Sequence, residues 1–130
     1  MMPAGQYYIG DLCYVMSDAE WNDFCSITIQ GHRCLSGEFV LNDGRRFATY
    51  QIKYGDGLYK DQFENQYGVD AGLIGCIRIE DIRVDKYNIK ELGSIVEFKT
   101  DFVTSYEDGV IKIGHVMIDT DPQEFEDDDY

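Results

Sequence analysis

In RRFATYQIKY, residues 45–54, Ala48, Tyr50, Ile52 and Tyr54 alternate with Thr49, Gln51 and Lys53. A period of two places the two sets on opposite faces of a pleated strand. SIVEFKTDFVTSY, residues 94–106, repeats the pattern: Val96, Phe98 and Phe102 share one face, and Glu97, Lys99 and Asp101 share the other. LIGCIRIEDIRV, residues 73–84, is rich in β-branched residues and predicts a strand buried on at least one face. Two hairpin turns punctuate these runs. Asn42-Asp43-Gly44 separates GEFVL from RRFATYQIKY, and Glu107-Asp108-Gly109 separates SIVEFKTDFVTSY from VIKIGHVMID, residues 110–119. Asn, Asp and Gly tolerate the positive φ that tight hairpins require. In VIKIGHVMID, His115 is in phase with Ile113 and Met117 and is expected on a strand.

One early segment follows a different period. In MSDAEWNDFCSI, residues 16–27, Ser17 is an N-cap and Glu20 stands three residues on, as in a capping box. Trp21, Phe24 and Cys25 then fall on one helical face, expected to cover a sheet. DKYNIKELG predicts one further helical turn, closed by Gly93. With about seven or eight strands expected, the predicted class is α+β, mainly antiparallel β, as a sandwich or a partly closed barrel with one N-terminal helix.

Composition bounds the picture further. A chain of 130 residues that is 44% hydrophobic forms one domain with its own core, expected over residues 1–121, with an acidic, disordered tail over 122–130. No apolar run is long enough for a membrane span, and MMPAGQYY has neither the basic nor the apolar part of a signal peptide. A cytoplasmic protein with no membrane partner is expected. Cys13, Cys25, Cys34 and Cys76 form no C-x-x-C pair, so free thiols are expected rather than a zinc site.

The net charge is −14. Residues 119–130 hold seven of the 25 acids, and the rest of the chain still carries 18 acids against 11 bases. Direct nucleic-acid binding is not expected on this balance, because phosphate neutralisation needs clustered Lys and Arg. The expected partner is a basic protein or a small ligand.

Candidate chemistry concentrates in two places. KYGDGLYKDQFENQYGVDAGLIG, residues 53–75, mixes five glycines with Asp56, Asp61, Glu64 and Asp70 and with Tyr54, Tyr59 and Tyr67. Glycine lets backbone amides approach a ligand, and carboxylates accept protons or cations. The acid spacing does not make an EF-hand loop, and no metal or cofactor is expected. QYYIGDLCYV, residues 6–15, sets Asp11 and Cys13 at a corner. A short echo between this segment and QYGVDAGLIGCI predicts two similar corners side by side, with Asp11 near Asp70. Asp11, Asp56, Tyr59, Asp70 and Gly72 are therefore the candidate ligand-binding residues. A Cys13–His–Asp70 triad needs His32 or His115 as base, and neither is in an evidently suitable place.

YYIGDLCYV, EWNDFC, GDGLYKD, YGVDAGLIGCI and IDTDP together resemble small uncharacterised bacterial and phage proteins with a YIGDPCYV-like start and a VDSG-like middle. Leu12 stands where that pattern has proline, and Ala71 where it often has serine. The resemblance spans roughly residues 7–122 and implies a phage or bacterial accessory protein, with no activity attached. The function expected first is a non-enzymatic binding or inhibitor protein. The alternatives are a metal-assisted or thiol hydrolase using the Asp/Gly loops, and a structural or assembly protein.

Overall fold

The computed structural model describes residues 1–31, 33–53, 55–84 and 89–120. The chain opens with β1 (Gly5–Gly10), turns through a 3-10 segment (Leu12–Val15), and enters α1 (Asp18–Thr28). A small hairpin, β2 (Ile29–Gln30) and β3 (Arg33–Cys34), leads to β4 (Gly37–Val40) and β5 (Arg46–Gln51). Then come β6 (Gly57–Asp61), β7 (Gln66–Val69), β8 (Leu73–Arg78), the short α2 (Ile89–Leu92) and β9 (Ser94–Phe98). The last strands are β10 (Thr104–Glu107), β11 (Val110–Ile113) and β12 (Val116–Asp119). The fold is an α+β sandwich, antiparallel throughout, whose sheets do not close into a barrel.

The first sheet runs β4-β5-β8-β1-β9 and the second β10-β11-β12-β6-β7. Tyr7, Ile9, Ala48, Tyr50, Ile74 and Cys76 of the first meet Tyr67, Ile111, Ile113, Val116 and Ile118 of the second in one core. Tyr8, Phe47, Leu73 and Ile77 point the opposite way, onto Leu12, Val15 and Phe24. The central strands of the first sheet are thus apolar on both faces, since the second sheet covers one and α1 the other.

Helix α1 forms where the period predicts it. Ser17 and Glu20 make the capping box, with bonds of 2.8 and 3.2 Å. Trp21 stacks on Phe24 at 4.6 Å, and Phe24 lies 5.1 Å from Phe47 of the sheet. Arg45 fixes the helix to its surroundings: its guanidinium bonds Glu20, Asp43 and the Asp81 carbonyl. Asp23 takes the Asn42 amide at 3.0 Å, so the predicted Asn42-Asp43-Gly44 turn is clamped to the helix.

Close approach dictates a row of small residues. Gly10 pairs with Gly75 across β1 and β8. A Cβ at Gly75 would sit 2.0 Å from the Ala48 carbonyl oxygen and 3.0 Å from Leu12 Cδ1, and one at Gly93 would sit 2.1 Å from the Ile9 carbonyl oxygen. Gly93 does end α2, but packing against Ile9 is what demands glycine there.

Several expectations need correction. SIVEFKTDFVTSY is not one strand: it splits into β9 and β10, which belong to different sheets. The break at residues 99–103 carries the chain between layers, with Asp101 accepting the Ala4 amide at 3.0 Å and Phe102 bridging to Met2. VIKIGHVMID also splits, at a turn in which Gly114 has φ 60° and His115 is exposed, so His115 is not on a strand. Much of the segment 53–75 is the β6–β7 hairpin rather than a loop. Twelve strands form among the described residues, more than expected, because long alternating runs fold back on themselves. The expected tail, residues 122–130, lies outside the described residues.

The glycine row gives a direct test. Gly75→Ala is expected to cost about 2–3 kcal/mol, because its methyl overlaps backbone that cannot yield. Gly68→Ala, where a Cβ meets nothing within 4 Å, is expected to cost under about 1 kcal/mol. Urea unfolding of both variants measures the contrast, and equal costs would contradict the packing.

Candidate functional site

Asp11 ends β1 and is fully buried. One carboxylate oxygen accepts the Cys13 amide at 3.0 Å, and the other accepts the Asp70 and Ala71 amides, each at 2.7 Å. The Tyr8 hydroxyl donates to the Asp11 carbonyl at 3.1 Å, and the Tyr14 hydroxyl donates to the Asp70 carboxylate at 2.9 Å. The two echoing corners therefore meet, as the sequence predicts, because antiparallel pairing of β1 and β8 brings their ends together. The bonds run from one carboxylate to the other corner's backbone, so the acids do not face each other across a cleft.

Cys13 lies among acids. Burial pushes its thiol up to about 12, helped by its hydrogen bond to Asp11 and by the charges of Asp11, Asp70 and Asp56. Such a thiol stays protonated at neutral pH and is no nucleophile. Tyr14 is likewise pushed up to about 12, by burial and then by Asp70. His32 lies outside the described residues, and His115 contacts Phe98 and Phe63 instead. The structure thus gives a Cys13–His115–Asp70 relay no support.

The other predicted residues divide by role. Asp56 and Asp70 are exposed at this end of the molecule. Tyr59 packs against the core, and its hydroxyl donates to the Gly55 carbonyl at 2.8 Å. Gly72 has φ 74°, a value only glycine adopts freely, and its carbonyl accepts the Ile52 amide at 2.9 Å. Among the described residues, no three His, Cys, Asp or Glu side chains come together as cation ligands.

Two features escape sequence reasoning. Asp61, only 6% exposed, organises the β6–β7 turn. Its carboxylate accepts the Phe63 amide at 2.8 Å, the Asn65 amide at 3.0 Å and the Tyr67 hydroxyl at 2.6 Å. Tyr67 also bonds Ser94 at 2.8 Å, tying the second sheet to the first. Burial acts to raise the Asp61 pKa, but these hydrogen bonds outweigh it and hold the carboxyl below its ordinary value.

The second feature is a cleft of about 430 Å³ on the outer face of the second sheet. Register explains its chemistry. Glu107, Val110, Asp119 and Lys60 form one cross-strand row on β10, β11, β12 and β6. Ser105, Lys112 and Met117 form the next, continued by Gln62, whose side chain accepts the Met117 amide at 2.8 Å and donates to the His115 carbonyl at 2.6 Å. Asp108 closes the acidic end of the cleft, in a turn where Asp108 and Gly109 have φ 53° and 80°. At that same end, the Thr120 amide donates to the Gly109 carbonyl at 2.8 Å.

Asp11→Asn is expected to destabilise the fold by about 2 kcal/mol, since one amide oxygen cannot replace two carboxylate oxygens serving three donors. Urea unfolding at neutral pH reads this, and a change under about 0.5 kcal/mol would show that Asp11 does not hold the two corners together. The Asp61 contribution has a defined pH window. Its folded pKa is depressed, so its stabilisation is complete above the unfolded value near 4 and disappears as pH falls through the lower folded value. The stability gap between wild type and Asp61→Asn should be constant from pH 7 to about 5 and then narrow on acidification. A gap that widens toward low pH would refute this. Comparison of the chain with protein-family models, with curated proteins and with solved structures finds no match.

Proposed function

We propose that this chain is a non-enzymatic binding protein that engages a basic protein partner through the outer face of its second sheet. The observation that carries this is the anchoring of Thr120 to Gly109, beside Glu107 and Asp108. The sequence beyond Thr120, DPQEFEDDDY, has six acids and no base, so the chain's densest negative charge is attached at the acidic end of a concave face.

The face has what a protein contact needs. Val110 and Met117 supply an apolar floor, with Met117 42% exposed, and charged side chains rim it. Lys60 is ion-paired to Glu64 at 3.4 Å and stands opposite Asp119 in the ladder, Lys112 lies one row away opposite Met117, and Glu107 and Asp108 together form the acidic end that greets a cation. The buried acids serve the fold instead: Asp11 and Asp61 are saturated by internal donors. A phage or bacterial accessory protein is the setting that fits this reading.

The test uses the full chain and a synthetic Lys/Arg-rich peptide, against a neutral peptide of equal length. Affinity should fall steeply with salt. Glu107→Gln/Asp108→Asn should weaken binding about tenfold, while Glu91→Gln/Glu97→Gln, with the same loss of charge elsewhere on the surface, should change it less than about threefold. Salt-insensitive binding, or equal losses in the two double variants, would overturn the assignment.

A further inference from the structure

The environments of the four cysteines separate their chemistry. Cys76 is fully buried in the first sheet, and burial pushes its thiol up. Cys13 is held protonated by burial and by the surrounding acids. Cys34 is exposed and Cys25 is half-buried, and these two belong to adjoining elements.

Ile29 is the residue that relates them. It ends α1 by donating its amide to the Cys25 carbonyl, which places it one helical turn beyond Cys25. It is also the direct cross-strand partner of Cys34 in the β2–β3 hairpin. The next rung, from the Leu35 amide to the Thr28 carbonyl at 2.7 Å, holds the hairpin against the helix end. Neighbours one helical turn apart are about 5–6 Å away, and antiparallel partners about 4.5–5.5 Å. Cys25 and Cys34 are thus each one residue's width from Ile29, at a helix end with no basic residue in its last turn. Burial, and then the neighbouring Cys34, push the Cys25 thiol up.

We propose that Cys25 and Cys34 are a dithiol that closes to a reversible disulfide, stapling the β2–β3 hairpin to the last turn of α1. The oxidant is a low-molecular-weight disulfide. The Cys34 thiolate, being exposed, attacks it first; the oxidant's sulfur–sulfur bond breaks, a mixed disulfide forms on Cys34, and one thiol leaves. The Cys25 thiolate then attacks the Cys34 sulfur and expels the second thiol. Two protein thiols lose two electrons and two protons, and the small disulfide is reduced to two thiols. Closure requires the pair within the 4.4–6.8 Å Cα range of a disulfide, and the hairpin that carries Cys34 is the element that adjusts to meet it.

The test treats the full-length reduced protein with oxidised glutathione and follows intact mass and non-reducing peptide maps. The wild-type chain should lose two hydrogen masses, with Cys25 linked to Cys34, and its urea midpoint should rise. Cys25→Ser should stop with one glutathionyl group on Cys34, and Cys34→Ser should show no intramolecular link. Cys34 is exposed and Cys25 is only partly buried against the core under α1, and serine is close to cysteine in size, so neither variant should unfold the chain. A wild-type chain that stops at the Cys34 mixed disulfide, links Cys34 to Cys13 or Cys76, or yields only intermolecular dimers would overturn the proposal.

Discussion

The Asp11 carboxylate lies where the chain leaves β1, without solvent contact, and takes backbone amides from two segments nearly sixty residues apart. A buried carboxylate without donors is costly, and so are buried amides without acceptors. Here each side satisfies the other. The bonds to Asp70 and Ala71 fix the entry to β8, and the bond to Cys13 starts the 3-10 turn that presses Leu12 onto the first sheet. That turn reaches the sheet only because Gly75 has no side chain at the point of contact. From there the chain enters α1, so the placement of the covering layer follows from one acid and one glycine.

Asp61 works by the same logic on the second sheet, where its carboxylate gathers two amides and the Tyr67 hydroxyl. Through Tyr67 and Ser94 this network reaches the first sheet. At the opposite side, Tyr50 bonds Thr104 at 2.7 Å, and Thr104 donates to Glu38 at 3.1 Å. The sandwich is therefore bridged by polar contacts at its margins around an apolar middle. Polar networks of this kind favour one arrangement over slipped alternatives, because a slip leaves buried donors unpaired. An acid-rich sequence need not be a catalytic one when its buried acids are spent on turns.

Local signals carried much of this into the sequence. The Ser17–Glu20 box, the Asn42-Asp43-Gly44 turn and the Asp108-Gly109 turn each depend on neighbouring residues, and each forms where expected. The echo between the Asp11 and Asp70 corners also foretells a real juxtaposition. Alternation failed where a long run folds back, since a period of two continues unchanged through a tight hairpin. Gly114-His115 lacks the Asn or Asp that marks the other turns, and residues 99–103 carry only Thr100-Asp101, with no glycine or proline, inside an alternating run. The candidate site was legible in its residues but not in their roles: nothing local distinguishes Asp11, buried under backbone amides, from Asp56, which is exposed. The Asp61 network and the concave face depend on pairings between strands distant in sequence.

The two sheets differ in what covers them, and the proposed function rests on that asymmetry. The outer face of the first sheet is sealed by α1 and the 3-10 turn, whereas the described residues place nothing over the outer face of the second. Leu58 and Met117 stand there 62% and 42% exposed, among Lys60, Lys112, Glu107 and Asp119. Full burial of such a side chain is worth about 1.5–3 kcal/mol, and their partial exposure leaves a fraction of that for a partner to recover. Charges add little affinity at a wet rim, but they reject the wrong partner and speed approach of the right one. In the proposed reading, apolar residues within a charged rim, joined at Thr120 to an acidic sequence, draw the energy of a contact from the sheet and its selectivity from the charge.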